Sequence, residues 1–247
     1  MASYDDFSVC YDGLTEDVDY AGRSLRLLEL FKRYDHKPTL LLDLACGTGG
    51  FSFELAKAGM EVIGVDQSEG MLAAAKEKTA PDSHNPLFLH QSAEELELFG
   101  TVDGAISMLD SLNHITDYAD FCRAIARVSL FLEPERLFIF DVNTLYKHEH
   151  VLGDQTFVRE NEQALCVWQN DYRGEGLVDL YLDFFLEQPD GSYQRVSEEF
   201  SERAYSLKAI AEALASAGLE TVAMLDDLTD ASPTDTTERI TYIVRKK

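Results

Sequence analysis

Short, nearly all-apolar runs alternate with stretches of helical period through the first half of the chain. Residues 40–45, 61–65, 87–90, 103–108 and 136–141 read as strands of the kind covered on both faces. Residues 51–58, 69–78 and 118–131 read as the helices between them, the first closed by Gly59 where a left-handed cap is common. Ahead of this block, Leu25, Leu27, Leu28, Leu30 and Phe31 predict a helix with a broad apolar face, and Pro38 ends that lead. Such alternation is the signature of a parallel sheet with crossover helices.

The period then changes to two, from residue 157 to 200. Val178, Leu180, Leu182, Phe184 and Leu186 share one face of a strand, while Asp179, Tyr181, Asp183 and Glu187 point the other way. With turn signals at Gly174-Glu175-Gly176 and Pro189-Asp190-Gly191-Ser192, this predicts an inserted antiparallel meander of three or four strands. Leu207, Ile210, Leu214 and Ala217 then mark a helix capped by Ser206 and stopped by Gly218. Two closing strands, 219–225 and 238–245, have no crossover helix between them, so the last should run antiparallel to its neighbours. The fold expected is α/β: a doubly wound, seven-stranded, mostly parallel sheet in a single domain over 1–247. Residues 1–36 form a helical lead and 155–203 the inserted β meander.

A chain of 247 residues with 45% apolar content supports one sizeable core. No apolar run approaches the roughly 20 residues of a membrane helix. The acidic start Met1-Ala2-Ser3-Tyr4-Asp5-Asp6 lacks signal-peptide regions, so a cytoplasmic protein with no membrane partner is expected. The net charge of −24, with no basic patch beyond Arg245-Lys246-Lys247, argues against nucleic acid and mildly favours a small, cationic partner. Acidity that merely keeps the protein soluble is the plainer alternative. Cys10, Cys46, Cys122 and Cys166 form no Cys-x-x-Cys pair and read as reduced thiols. His148-Glu149-His150 would put its ligands on different faces, so no metal site is expected and the segment reads as solvated. Trp168, Tyr172, Tyr181 and Tyr193 fit a pocket lining and ordinary sheet residues equally well.

The chemistry concentrates at Asp43-Leu44-Ala45-Cys46-Gly47-Thr48-Gly49-Gly50, between the first strand and the first helix. Glycines there let the backbone turn tightly and approach a ligand, and the helix behind them offers free N–H groups. Asp66 ends the second strand, where an acidic side chain can accept both hydroxyls of a ribose. A nicotinamide dehydrogenase would want a third glycine where Ser52 stands, and Asp43 suits a cationic amino-acid ligand better than a pyrophosphate.

These residues, with Val62-Ile63-Gly64-Val65-Asp66-Gln67-Ser68-Glu69-Gly70-Met71-Leu72, resemble the class I S-adenosylmethionine-dependent methyltransferases, especially the bacterial small-molecule type with a late β insertion. The likeness extends to Phe7, Tyr11, Asp12 and Tyr20, to residues 109–114 and 140–144, and to 199–205. It implies S-adenosylmethionine as cofactor and S-adenosylhomocysteine as product. It places Gly47 and Gly49, with Ala45 and Cys46, around the methionine part, and Asp43 near its amino group. It gives Asp66 the ribose, with Gln67 and Met71 flanking the adenine. Ser92 and Ala93 match the adenine-edge position, where the family often has Asp, which would hand that contact to Gln91. Ala45 stands where Gly is frequent, a change that a slightly different turn would absorb. Leu109 and Asp110 match the methionine end, and Tyr11 and Tyr20 would close the site as a lid. Methyl transfer asks mainly for positioning, worth roughly 7–11 kcal/mol. Asp110, Asn113 and His114 are candidates by position for a catalytic base. The meander is expected to form the acceptor side, offering Asp179, Tyr181, Asp183 and Arg195 to a polar small molecule. The implied reaction is methyl transfer to an O, N or C atom. A non-catalytic S-adenosylmethionine-binding protein and an aminopropyl transferase are the rivals.

Overall fold

The computed structural model describes residues 18–80, 84–160, 164–188 and 190–247. Phe7, Cys10, Tyr11 and Asp12 lie outside the described residues. Helix α1 (Tyr20–Arg33) starts at Asp19, whose carboxylate accepts the Gly22 N–H at 2.8 Å. There follow β1 (Leu40–Leu44), α2 (Gly50–Lys57), β2 (Glu61–Asp66), α3 (Glu69–Glu77), β3 (Leu87–His90) and β4 (Gly104–Ser107). Next come α4 (Tyr118–Phe131) and β5 (Leu137–Asn143), then the insertion, α5 (Leu207–Ser216), β10 (Leu219–Asp226) and β11 (Arg239–Lys246).

The strands form a seven-stranded sheet ordered β10-β11-β5-β4-β1-β2-β3, in which β11 runs antiparallel to both neighbours. Alternation along β1 sends Leu41 to one face and Leu42 and Leu44 to the other, so both faces need cover. Leu27, Leu30 and Phe31 of α1 and Leu55 of α2 bury the Leu41 face; α4 and α5 bury the other through Phe121, Ile125, Ile210 and Leu214. The apolar face of α1 is narrower than the sequence implies, since Leu25 is 62% exposed.

The insertion folds as a separate antiparallel sheet, β6 (Thr156–Glu160), β7 (Ala164–Gly174), β8 (Leu177–Glu187) and β9 (Tyr193–Arg203), ordered as in sequence. Its apolar face, with Cys166, Leu182 and Phe184, packs on Met71 of α3. The face carrying Asp179, Tyr181 and Asp183 therefore turns away from the large sheet. Its charges are matched across strands: Arg195 donates to Asp183 at 2.7 Å and Arg173 to Asp179 at 2.7 Å. This corrects the expectation that these residues offer themselves to an acceptor. Trp168 belongs to the apolar cluster and Tyr193 is 61% exposed, so both act as sheet residues. β9 is stitched to the loop after β4, where Arg203 Nε donates to Thr116 O (2.9 Å) and Asn113 Nδ2 to Arg203 O (3.0 Å).

Candidate functional site

A cleft of about 280 Å³ opens at the carboxyl ends of β1, β2 and β4. The chain leaves β1 towards β2 but β4 towards β5, and crevices form where strand order reverses in this way. Of the residues singled out by sequence, Ala45, Gly47, Asp66, Gln67, Met71, Gln91, Ala93, Leu109 and His114 line it. Val65, Ser111 and Leu112, from within the family-like segments, complete the wall together with Glu94, Ile115, Thr116, Asp117 and Asp120, which carry no motif.

The floor is a left-handed turn. Ala45, Gly47 and Gly49 have φ of 55°, 54° and 82°. A Cβ on Gly49 would meet Phe88 at 2.9 Å, whereas one on Gly47 would meet nothing within 4 Å, because the open cleft lies there. Ala45 keeps the left-handed geometry outright, so the turn has not relaxed to absorb the missing glycine. That strain, ~1–2 kcal/mol, exceeds the extra unfolded-state entropy of a glycine, ~0.4–1 kcal/mol. Ala45→Gly is therefore expected to stabilise the protein by roughly 0.5–1 kcal/mol. A lower melting temperature than that of the parent would contradict this.

Asp66 is 9% exposed and accepts the Gly47 N–H (2.7 Å) and the Ser68 N–H (2.8 Å). Burial raises its pKa while those backbone N–H groups pull it down. Asp43 lies below the floor rather than on it: it is 2% exposed and accepts from Ser52 Oγ at 2.5 Å. Burial raises its carboxyl to about 7 against that hydrogen bond, with the Asp66 charge adding to the rise. Burial also pushes the Cys46 thiol well up, which makes it a packing group against Gly64. Cys46, Gly49 and Ser92 stand behind the lining. Gln91 lines the cleft, but its amide is engaged by the Glu97 backbone at 2.8 and 3.1 Å. Tyr20 packs edge-on against Phe51 and over Gly50, bracing the turn from the far side.

The turn after β4 is the second strained segment. Leu109 and Asp110 have φ of 59° and 54°, side by side. The fully buried Asp141 carboxylate holds both, accepting the Leu109 N–H (3.0 Å) and the Asp110 N–H (2.6 Å). Burial raises the Asp141 pKa, and Arg239 opposes the rise. Arg239 Nη2 donates to Asp110 Oδ1 at 2.6 Å, and Asn143 Nδ2 to Asp110 Oδ2 at 2.7 Å. Burial works against ionisation of Asp110, but Arg239, Lys147 and His114 more than offset it and hold the carboxyl far below the usual range. Asn113 is 1% exposed and spans Asn143 and Arg203, a clamp between loop and meander. Of the three candidate catalytic residues, His114 alone lines the cleft. Its ring rests on Phe200 of β9, with centroids 5.1 Å apart. Asp141 lay within the family-like segment 140–144 but was given no role, and Arg239 was not singled out; an acidic residue at the end of an otherwise apolar strand was the available signal.

The family model described as a methyltransferase domain matches residues 41–134. A Geobacillus sp. (strain WCH70) protein, provisionally designated a methyltransferase, is 30% identical over 246 residues, 99% of this chain and 100% of its own length. The crystal structure of an S-adenosylmethionine-dependent methyltransferase from Clostridium acetobutylicum superposes with a TM-score of 0.89 at 32% identity, covering 98% of each chain. An amino pentose methyltransferase from Micromonospora echinaspora, solved with S-adenosylmethionine bound, shares the fold at 18% identity and a TM-score of 0.77, covering 98% of this chain and 96% of its own.

Proposed function

The chain belongs to the class I S-adenosylmethionine-dependent methyltransferases, and from that premise we propose that it methylates a small molecule seated beside Leu109 and His114, where the meander closes the cleft. The observation that carries this reading is the docking of β9 on the loop after β4, with Phe200 on His114 and Arg203 on Thr116.

The residues fit the cofactor. Gly47 presents open space where a side chain would intrude, and Asp66 is a buried carboxylate whose two backbone N–H contacts leave lone pairs for ribose hydroxyls. Gln67 and Met71 stand to flank the adenine, and Leu109 the methionine end. Bound there, the cofactor supplies a methyl group on an already activated sulfonium and leaves as S-adenosylhomocysteine. What remains for the chain is to orient the acceptor, exclude water and take up any proton. Glu94, Asp117 and Asp120 line the cleft, and no Lys or Arg does so among the described residues, which favours a neutral or cationic acceptor such as an amine.

Methyl transfer should appear as S-adenosylhomocysteine formed above background when the enzyme meets a metabolite pool. Replacing 155–203 by a Gly-Ser linker is expected to abolish that signal and leave S-adenosylhomocysteine affinity within a few-fold. Turnover retained in the linker variant would refute the meander's role.

A further inference from the structure

Behind the His114 wall lies a buried polar cluster that the reaction as described does not use. Glu202, at the end of β9, is 4% exposed and His148 is 0% exposed. Glu202 Oε1 stands 3.6 Å from His114 Nε2, and its Oε2 stands 3.6 Å from His148 Nε2. The orientation of His148 is fixed from its other side. Its Nδ1 lies 2.7 Å from the Gly176 carbonyl, which can only accept, so Nδ1 carries a proton. In its neutral form the ring then presents a bare Nε2 to Glu202 Oε2 just beyond hydrogen-bond length, and neither buried atom has a hydrogen-bond partner. Two acceptors do not face one another in a buried site unless a proton is held between them.

The charges around the cluster are known from every side. Asp110 comes from the turn after β4, Asp141 from β5, Lys147 from the π-helical turn Lys147–Leu152, and Arg239 from β11. Arg239 is committed to Asp110 at 2.6 Å, and Lys147 Nζ donates to Asn143 Oδ1 at 2.9 Å. Glu202 is thus left as the carboxyl without a cation of its own. Burial, with the Asp110 charge adding to it, pushes it up to about 8, and burial lowers both histidines.

We propose that His114, Glu202 and His148 form a proton relay for the acceptor, with His114 the catalytic base and Glu202–His148 the positioning pair behind it. The acceptor arrives as an ammonium or a hydroxyl; its N–H or O–H bond breaks, the electron pair stays on the heteroatom for the new bond to carbon, and the proton bonds to His114. As the imidazolium forms, the proton held between Glu202 and His148 settles on His148 Nε2, so that Glu202 meets His114 as a carboxylate. When product leaves, His114 returns its proton to solvent and the shared proton moves back. The relay favours an acceptor whose attacking atom carries a proton on arrival, an ammonium or a hydroxyl, over one that carries none, such as a thioether.

The inference rests on the methyl-transfer reading, and its test separates the two. Ring-nitrogen NMR of the histidines, titrated on the S-adenosylhomocysteine-loaded protein, is expected to show His114 and His148 moving together in one step. In Glu202→Gln that shared step should vanish, with S-adenosylhomocysteine affinity kept within threefold. Rings that titrate independently, or identically in parent and variant, overturn the relay. Failure of the parent to bind S-adenosylhomocysteine overturns the cofactor reading instead. Should Glu202→Gln not fold, the parent titration decides alone: a joint step supports the relay and separate steps refute it.

Discussion

Asp141→Ala is expected to destabilise the protein by about 3–5 kcal/mol, the range for removing one partner of a buried charge network. The carboxylate is fully buried, accepts the N–H groups of two consecutive left-handed residues, and lies 3.5 Å from Arg239 Nη1. Without it two buried N–H groups lose their acceptor, at ~1–3 kcal/mol each, and only the side-chain bonds of Asp110 to Arg239 and Asn143 still hold the turn at positive φ. Leu109 would then leave the cleft wall, so cofactor affinity should fall with stability. Asp141→Asn should lie between, because its amide can accept one N–H but turns its NH2 towards the other. Urea unfolding checks this, and an unchanged midpoint for Asp141→Ala would show that the turn holds itself.

The second large effect is on binding. Asp66→Ala should weaken S-adenosylhomocysteine by about 3 kcal/mol, near a hundredfold, as expected for losing charge-assisted bonds to two hydroxyls. The same change removes the acceptor of the Gly47 N–H, so the floor loosens together with the ribose contact. Calorimetry on a folded variant with unchanged affinity would move the ribose elsewhere. The sign of the pH dependence follows from burial. The ionised carboxylate is the form that accepts from ribose, and its pKa lies above the ordinary aspartate value. Affinity is therefore expected to fall on acidification, beginning at a higher pH than an unperturbed aspartate would give.

How far the sequence carried depended on how local each cause is. Strands of the large sheet were readable because burial on both faces leaves runs such as Phe138, Ile139 and Phe140 with no polar interruption. The reversed β11 was readable because the segment before it contains no crossover helix. The glycine turn and Asp66 were readable because positive φ and a strand-end carboxylate leave marks within a few residues. The Asp110–Arg239 pair spans 129 positions and leaves no such mark. His148 was read as solvated; it is buried because β7 and β8 turn at Gly176 directly onto it, a contact 28 residues away. Glu202 did leave a trace. Period two along β9 puts Glu198 and Glu202 on the same side as Val196 and Phe200, and an acid on an apolar stripe signals a purpose beyond solubility. The polar face of β8 misled for the converse reason, since its cross-strand ion pairs satisfy one another without any ligand.

The seat of Arg239 at the start of β11, the last strand in sequence, has a consequence for biosynthesis. β11 slots between β10 and β5, and its first residue anchors the strained loop of the cofactor cleft. A nascent chain that has emerged only as far as β10 already carries every glycine of the floor, Asp66 and the whole meander, yet cannot lock Leu109 and Asp110. Capture of the cofactor is therefore expected only once the β11 segment has cleared the ribosome exit tunnel. Chains halted by a stop codon before Arg239 would present an open, apolar sheet edge at β5 and be handled as clients of chaperones and proteases, not as weakened enzymes.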